Sequence, residues 1–140
     1  MRQEVSPMSE AIEVSDILPG EPHQIYLAWL DSETHSAFTG AQASIDARVG
    51  GQHAAWDGYI AGQILALDPD HRIVQSWRTT EFPDESPDSK LEIVLEPVAD
   101  GTRVHIRHTD IPDGQGEQYR QGWIDHYFNP LKRYLAGNAG

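Results

Sequence analysis

Gly116–Leu135 reads GEQYRQGWIDHYFNPLKRYL, and its pattern decides the fold. Ile124, Phe128, Leu131 and Leu135 recur at steps of four, three and four, the spacing that lines one face of a helix with apolar side chains. Beside that stripe runs a flanking row of aromatics, Tyr119, Trp123, Tyr127 and Tyr134, while Gln121, Asp125, Asn129 and Lys132 lie opposite. Roughly twenty helical residues span about 30 Å. Pro130 falls inside the pattern, removes one backbone donor and leaves the His126 carbonyl without its helical partner, so a bend near Asn129 is expected.

Working outward, everything before this helix reads as short strands and turns. Ile12 and Val14 alternate with Glu13 and Ser15, and Ile17-Leu18 closes a first strand at Pro19-Gly20. Pro22 opens a short helix through Ile25, Ala28 and Trp29. A second, capped by Asp31 or Ser32, carries Phe38 and stops at Gly40. Six strands are then expected: Ala43 to Val49, Gln52 to Trp56, Tyr59 to Leu67, Arg72 to Thr80, the alternation of Leu91, Ile93 and Leu95, and Thr102 to His108. Gly50-Gly51, Asp57-Gly58, Asp68-Pro69-Asp70-His71 and Asp100-Gly101 are the turns between them. Glu81 to Ser89, with two prolines and four acids, is an exposed loop. Gly62 inside a strand signals a bend or a close backbone approach. Strand parity puts His108 on the inner face with Val104 and Ile106, and Arg103, His105 and Arg107 outside. Short turns make the strands an antiparallel meander, and the long helix covers its concave face.

The chain of 140 residues suits one domain, expected at 10–136 between flexible tails at 1–9 and 137–140. A net charge of −12 repels phosphate backbones and anionic lipid heads, so nucleic acid and membranes are not expected partners. Zero cysteines remove disulfides, thiol catalysis and cysteine-based zinc sites, and fit a cytoplasmic setting. The first residues, MRQEVSPMSE, lack an apolar core, and no apolar run approaches the roughly 18 residues of a membrane span. No nucleophile elbow, phosphate loop or dinucleotide fingerprint occurs. His105 and His108 face opposite sides of their strand and cannot chelate together, so neither a metal site nor a cofactor is expected.

Several stretches in this order resemble a known family: PHQIYLAW (22–29), the Val49-Gly50-Gly51 turn, DGYIAGQILALDP (57–69), RIVQSW (72–77), DGTRVHIRH (100–108) and GWIDHYFNPLKRYL (122–135). Over roughly residues 10 to 136 the chain is similar to the activator of Hsp90 ATPase homologue 1-like domains. These belong to the helix-grip superfamily that includes START-related and Bet v 1-type proteins. The resemblance implies an α+β helix-grip fold, β-α-α-β6-α, with a curved seven-stranded antiparallel sheet wrapped around the C-terminal helix and a cavity between them. It does not imply one activity, since the superfamily holds co-chaperone domains, hydrophobe carriers and cyclases.

With such a cavity, its candidate lining is Trp29, Phe38, Trp56, Trp77, His108, Trp123 and Tyr127. At this level the aromatics read equally as core residues with satisfied polar tips, and His108 as a satisfied buried histidine. The leading expectation is a non-catalytic module, monomer or weak dimer, holding a small hydrophobic molecule of lipid, sterol, polyketide or aromatic type. A stress-related, Hsp90-linked interaction domain with a chaperone partner is the alternative. Against it, the two-domain co-chaperones carry a further N-terminal domain for which this sequence leaves no room. A cyclase- or hydrolase-like enzyme using His108 or a tyrosine as acid/base is the third.

Overall fold

In the computed structural model, residues 9–138 are described. Strand β1 (Ser9–Leu18) is followed by helices α1 (Pro22–Leu30) and α2 (Ser32–Thr39). Strands β2 (Ser44–Ile45), β3 (Gln52–Ala55), β4 (Ile60–Asp68), β5 (Arg72–Thr79), β6 (Ser89–Val98) and β7 (Gly101–Pro112) come next. The C-terminal helix has three parts: α3 (Gly116–Trp123), a π-helical turn (Ile124–Phe128) and α4 (Asn129–Asn138). The strands form one seven-stranded sheet in the order β1-β7-β6-β5-β4-β3-β2, antiparallel at every step. This is the α+β helix-grip arrangement. The expected flexible tails fall mostly outside the described residues.

The element ends follow local chemistry. The Glu21 N–H donates to the Gln24 side chain at 2.8 Å ahead of Pro22, and the Asp31 carboxylate accepts from the Thr34 N–H at 2.9 Å to start α2. Gly40, at φ 81°, ends that helix in the left-handed conformation. The expected strand over Ala43–Val49 shrinks to Ser44–Ile45, because Arg48 N–H turns back onto the Asp46 carbonyl at 2.8 Å. β7 runs past His108 to Pro112, still paired with Lys90 and with Ser9 and Glu10. Glu10 then fastens the start of α3: its carboxylate accepts from Gly114 N–H at 2.9 Å and Gly116 N–H at 2.7 Å. Those two backbone bonds hold its carboxyl below the ordinary range.

Gly62 marks a close approach, as its place in a strand suggested. His53 lies opposite it in the β3–β4 register, and the imidazole crosses over the glycine to meet the Ser76 carbonyl at 2.8 Å. A Cβ at Gly62 would stand 2.6 Å from His53 Nε2 and overlap the Ser76 carbonyl. Only hydrogen fits.

The helix corrects the sequence reading of its own face. Tyr119, Trp123, Tyr127, Leu131 and Leu135 are all buried, with Phe128, whereas Ile124 is only half-buried. The core face therefore joins Tyr119, Trp123 and Tyr127 of the flanking row to Phe128, Leu131 and Leu135 of the expected stripe, while Tyr134, like Ile124, is half-buried. A row repeating every four residues drifts by about 40° per step on a helix of 3.6 residues per turn, about 160° in all. The π-helical turn, closed by Asn129 N–H onto the Ile124 carbonyl, inserts one residue and takes back about 100° of that drift. The irregularity expected from Pro130 thus appears as a wide turn ahead of it.

Candidate functional site

Inside the grip, between helix and sheet, rings fill the space. Trp77 on β5 lies 4.6 Å from His108, 4.9 Å from Tyr119 and 5.4 Å from Trp123, centre to centre. Tyr127 lies 4.9 Å from both Trp29 and Trp123 and 5.8 Å from Phe38. Tilted and edge-on rings at these separations are favourable packing. A void of about 10 Å³ lies among them, bordered by Trp29, His35, Gln75 and Trp123 among others. That is the lower limit for a single water.

Several polar atoms in this core pair with one another. Trp123 Nε1–H can only donate, and it donates to His108 Nδ1 at 3.2 Å. His108 therefore carries its proton on Nε2, which gives it to Ser89 Oγ at 2.8 Å, and the Ser89 hydroxyl donates to the Trp77 carbonyl at 2.6 Å. Burial pushes His108 down to about 3. His35 is arranged the same way: Nδ1–H donates to the Trp29 carbonyl at 2.8 Å and Nε2 accepts from the Tyr127 hydroxyl at 2.8 Å. Burial lowers His35 to about 4, lowers His53 and raises the Tyr127 phenol. Both imidazoles are neutral braces with no nitrogen left over.

A larger space opens at the edge where the β3–β4 connection faces the helix. It is a cleft of about 560 Å³. Trp77, Trp123, Ile60 and Tyr127 make its apolar floor, Trp56 and Tyr59 one wall, and Tyr119, Gly122 and His126 much of the other. β3 ends at Ala55, one residue sooner than expected, because Trp56 and Asp57 both take left-handed φ of 55° and 58°. For a residue as bulky as tryptophan that conformation is strained. It is held by Asp57, whose carboxylate accepts from Gln42 N–H at 2.9 Å while its own N–H donates to the Gln42 carbonyl at 3.0 Å. The turn sets the Trp56 indole against the His126 ring in a T-shaped pair, 5.4 Å between centres.

A polar rim surrounds this floor. The Tyr59 hydroxyl donates to the Glu81 carboxylate, which also accepts from Gln118 Nε2 at 3.3 Å. Tyr119 donates to Gln115 at 2.6 Å and takes the Thr79 hydroxyl at 2.7 Å. Burial raises both phenols, so they remain protonated donors. Asp125 accepts from Gln121 Nε2 at 3.1 Å.

Of the seven residues singled out from sequence, the cleft brings together Trp56, Trp77, Trp123 and Tyr127. Trp29 borders only the small void, and Phe38 and His108 border neither space. Sequence reasoning missed Tyr59, Ile60, Gln118, Tyr119, Gln121, Gly122, Asp125 and His126. Tyr119, Gly122 and His126 sit at i, i+3 and i+7, a spacing that names one helix face, but nothing in the sequence says that the β3–β4 turn stands opposite. Among the described residues, no three His, Cys, Asp or Glu side chains are placed to hold a metal ion.

Residues 20–136 match the model of the family described as activator of Hsp90 ATPase homolog 1-like protein. The chain belongs to that family. It is 30% identical over 118 residues to the human activator of 90 kDa heat shock protein ATPase homolog 1, covering 84% of this chain and 35% of that protein. It thus spans about a third of that relative. An HSP90 activator from Plasmodium falciparum has the same fold, with a TM-score of 0.76 at 23% identity, covering 92% of this chain and 96% of that one. DynU16, from the dynemicin biosynthetic locus, superposes with a TM-score of 0.75 at 18% identity, over 90% of this chain and 47% of that chain.

Proposed function

We propose that this family member is a non-catalytic binding module of the cytoplasm that holds a small hydrophobic molecule in the cleft beside Trp56. The observation that carries the reading is the cleft itself. At about 560 Å³, with an apolar aromatic floor and a few polar groups at the rim, it has the size and lining of ligand sites. Trp56, Trp77, Trp123 and Tyr127 are its contacts, and Trp29, Phe38 and His108 pack behind them. The test uses Gly122, where an added Cβ would meet only the His126 ring, at 3.9 Å. Gly122→Phe fills the cleft from a helix that loses nothing by it, since glycine is the poorer helix former by up to about 1 kcal/mol. Tryptophan fluorescence titrated with aromatic and aliphatic hydrophobes should show binding to the parent chain and at least about tenfold weaker binding to the variant, with the far-ultraviolet spectrum unchanged. Absence of quenching and of thermal shift across the panel defeats the proposal.

A second reading has its own support. The human relative, at 30% identity, is named as an activator of the 90 kDa heat shock protein ATPase. On this reading the domain contacts an Hsp90 chaperone. Pull-down with the cognate Hsp90, with ATPase turnover measured alongside, separates the two: no complex and unchanged turnover remove the chaperone reading.

A further inference from the structure

We propose that the cleft selects planar aromatic cations and turns away carboxylates, sulfonates and phosphates; this rests on the cleft being a small-molecule site. Its lining contains no lysine or arginine. Two neutral donors at the rim already serve carboxylates: Gln121 Nε2 bonds Asp125 and Gln118 Nε2 bonds Glu81. The Tyr59 hydroxyl is committed to Glu81 as well. The N-terminus of α3, on the same helix, is already filled by the Glu10 carboxylate. Arg120, on the same helix, faces Glu117 and does not line the cleft. His126 is the only lining side chain that can become cationic.

An entering anion therefore meets no counter-charge, two carboxylates and a protein of net charge −12. An entering aromatic cation meets the indole rings of Trp56, Trp77 and Trp123, whose π systems attract cations, with Asp125 at the rim. The field that repels the first draws in the second.

Three fluorescent probes decide the matter at pH 8. N-phenyl-1-naphthylamine is neutral, 1-anilinonaphthalene-8-sulfonate carries the same skeleton with an anionic group, and berberine is a planar aromatic cation. Expected are binding of the neutral probe and berberine, with the sulfonate at least about tenfold weaker than either. Asp125→Asn should weaken berberine about threefold relative to the neutral probe. Should the sulfonate bind as tightly as its neutral parent, or Asp125→Asn leave berberine untouched, the charge selection is wrong while the cleft stands. Failure of all three probes overturns the cleft as a binding site, and the selection with it.

Discussion

His53 and Gly62 are two halves of one device. The imidazole spans from β3 across β4 to the Ser76 carbonyl on β5, so one side chain ties three strands at the sheet edge that carries the cleft wall. Gly62→Ala should cost at least about 3 kcal/mol, because the intruding methyl meets a backbone carbonyl that cannot turn away. Urea denaturation measures it. The need for glycine was legible in the sequence as a glycine within an apolar strand run. Its reason was not, since the partner lies on the neighbouring strand. His108 shows the same division. Parity alone put it inside, but Ser89 and Trp123, which decide its tautomer and its neutrality, come from a strand and a helix that only tertiary structure brings to it.

At the scale of the element, the C-terminal helix shows where periodicity fails. Its extent and burial could be read from apolar spacing. The phase could not, because counting at 3.6 residues per turn favours Ile124, while the inserted residue of the π turn hands the core to Trp123 and Tyr127. Deleting Asp125 would let ordinary i to i−4 bonding run through, and it would turn Tyr119 and Trp123 about 100° away from the sheet. The expected outcome is a chain that keeps its far-ultraviolet helicity and loses its near-ultraviolet aromatic signal. An unchanged near-ultraviolet spectrum would show that the extra residue does not set the phase. The short β2 and the left-handed Trp56 were equally hidden, since both are set by contacts with Asp46 and Gln42 rather than by the run of residue types.

For the whole molecule, three buried histidines begin the acid limb of stability, which Glu10 and Asp31, whose carboxyls are held low by hydrogen bonds, extend at lower pH. An unfolded histidine takes a proton near pH 6.5, whereas folded His108 resists to about 3 and folded His35 to about 4, and His53 is lowered as well. Below about pH 6.5 the unfolded chain binds more protons, so stability falls as pH falls, by up to about 1.4 kcal/mol per pH unit for each histidine. Above about pH 7.5 these groups add no slope. Denaturation midpoints from pH 8 to pH 4.5 should therefore be level and then decline, and His108→Gln should decline less steeply. The order of elements and the antiparallel sheet were legible because turns and alternation are local signals. The cleft was not, because it depends on how far the β3–β4 turn stands from the helix.

The strand order has a consequence for how the chain comes into being. β1 pairs only with β7, and Glu10 beside it closes the start of α3. On a ribosome, therefore, the first strand emerges with no partner and waits for residues beyond Gly101, an interval of about 5–20 s at ordinary rates of elongation. Strands β3 to β7 can pair with their neighbours as they appear. The domain is sealed last by the meeting of its earliest and latest segments, and until then the floor that Trp77 offers to Trp123 lies open to whatever is near.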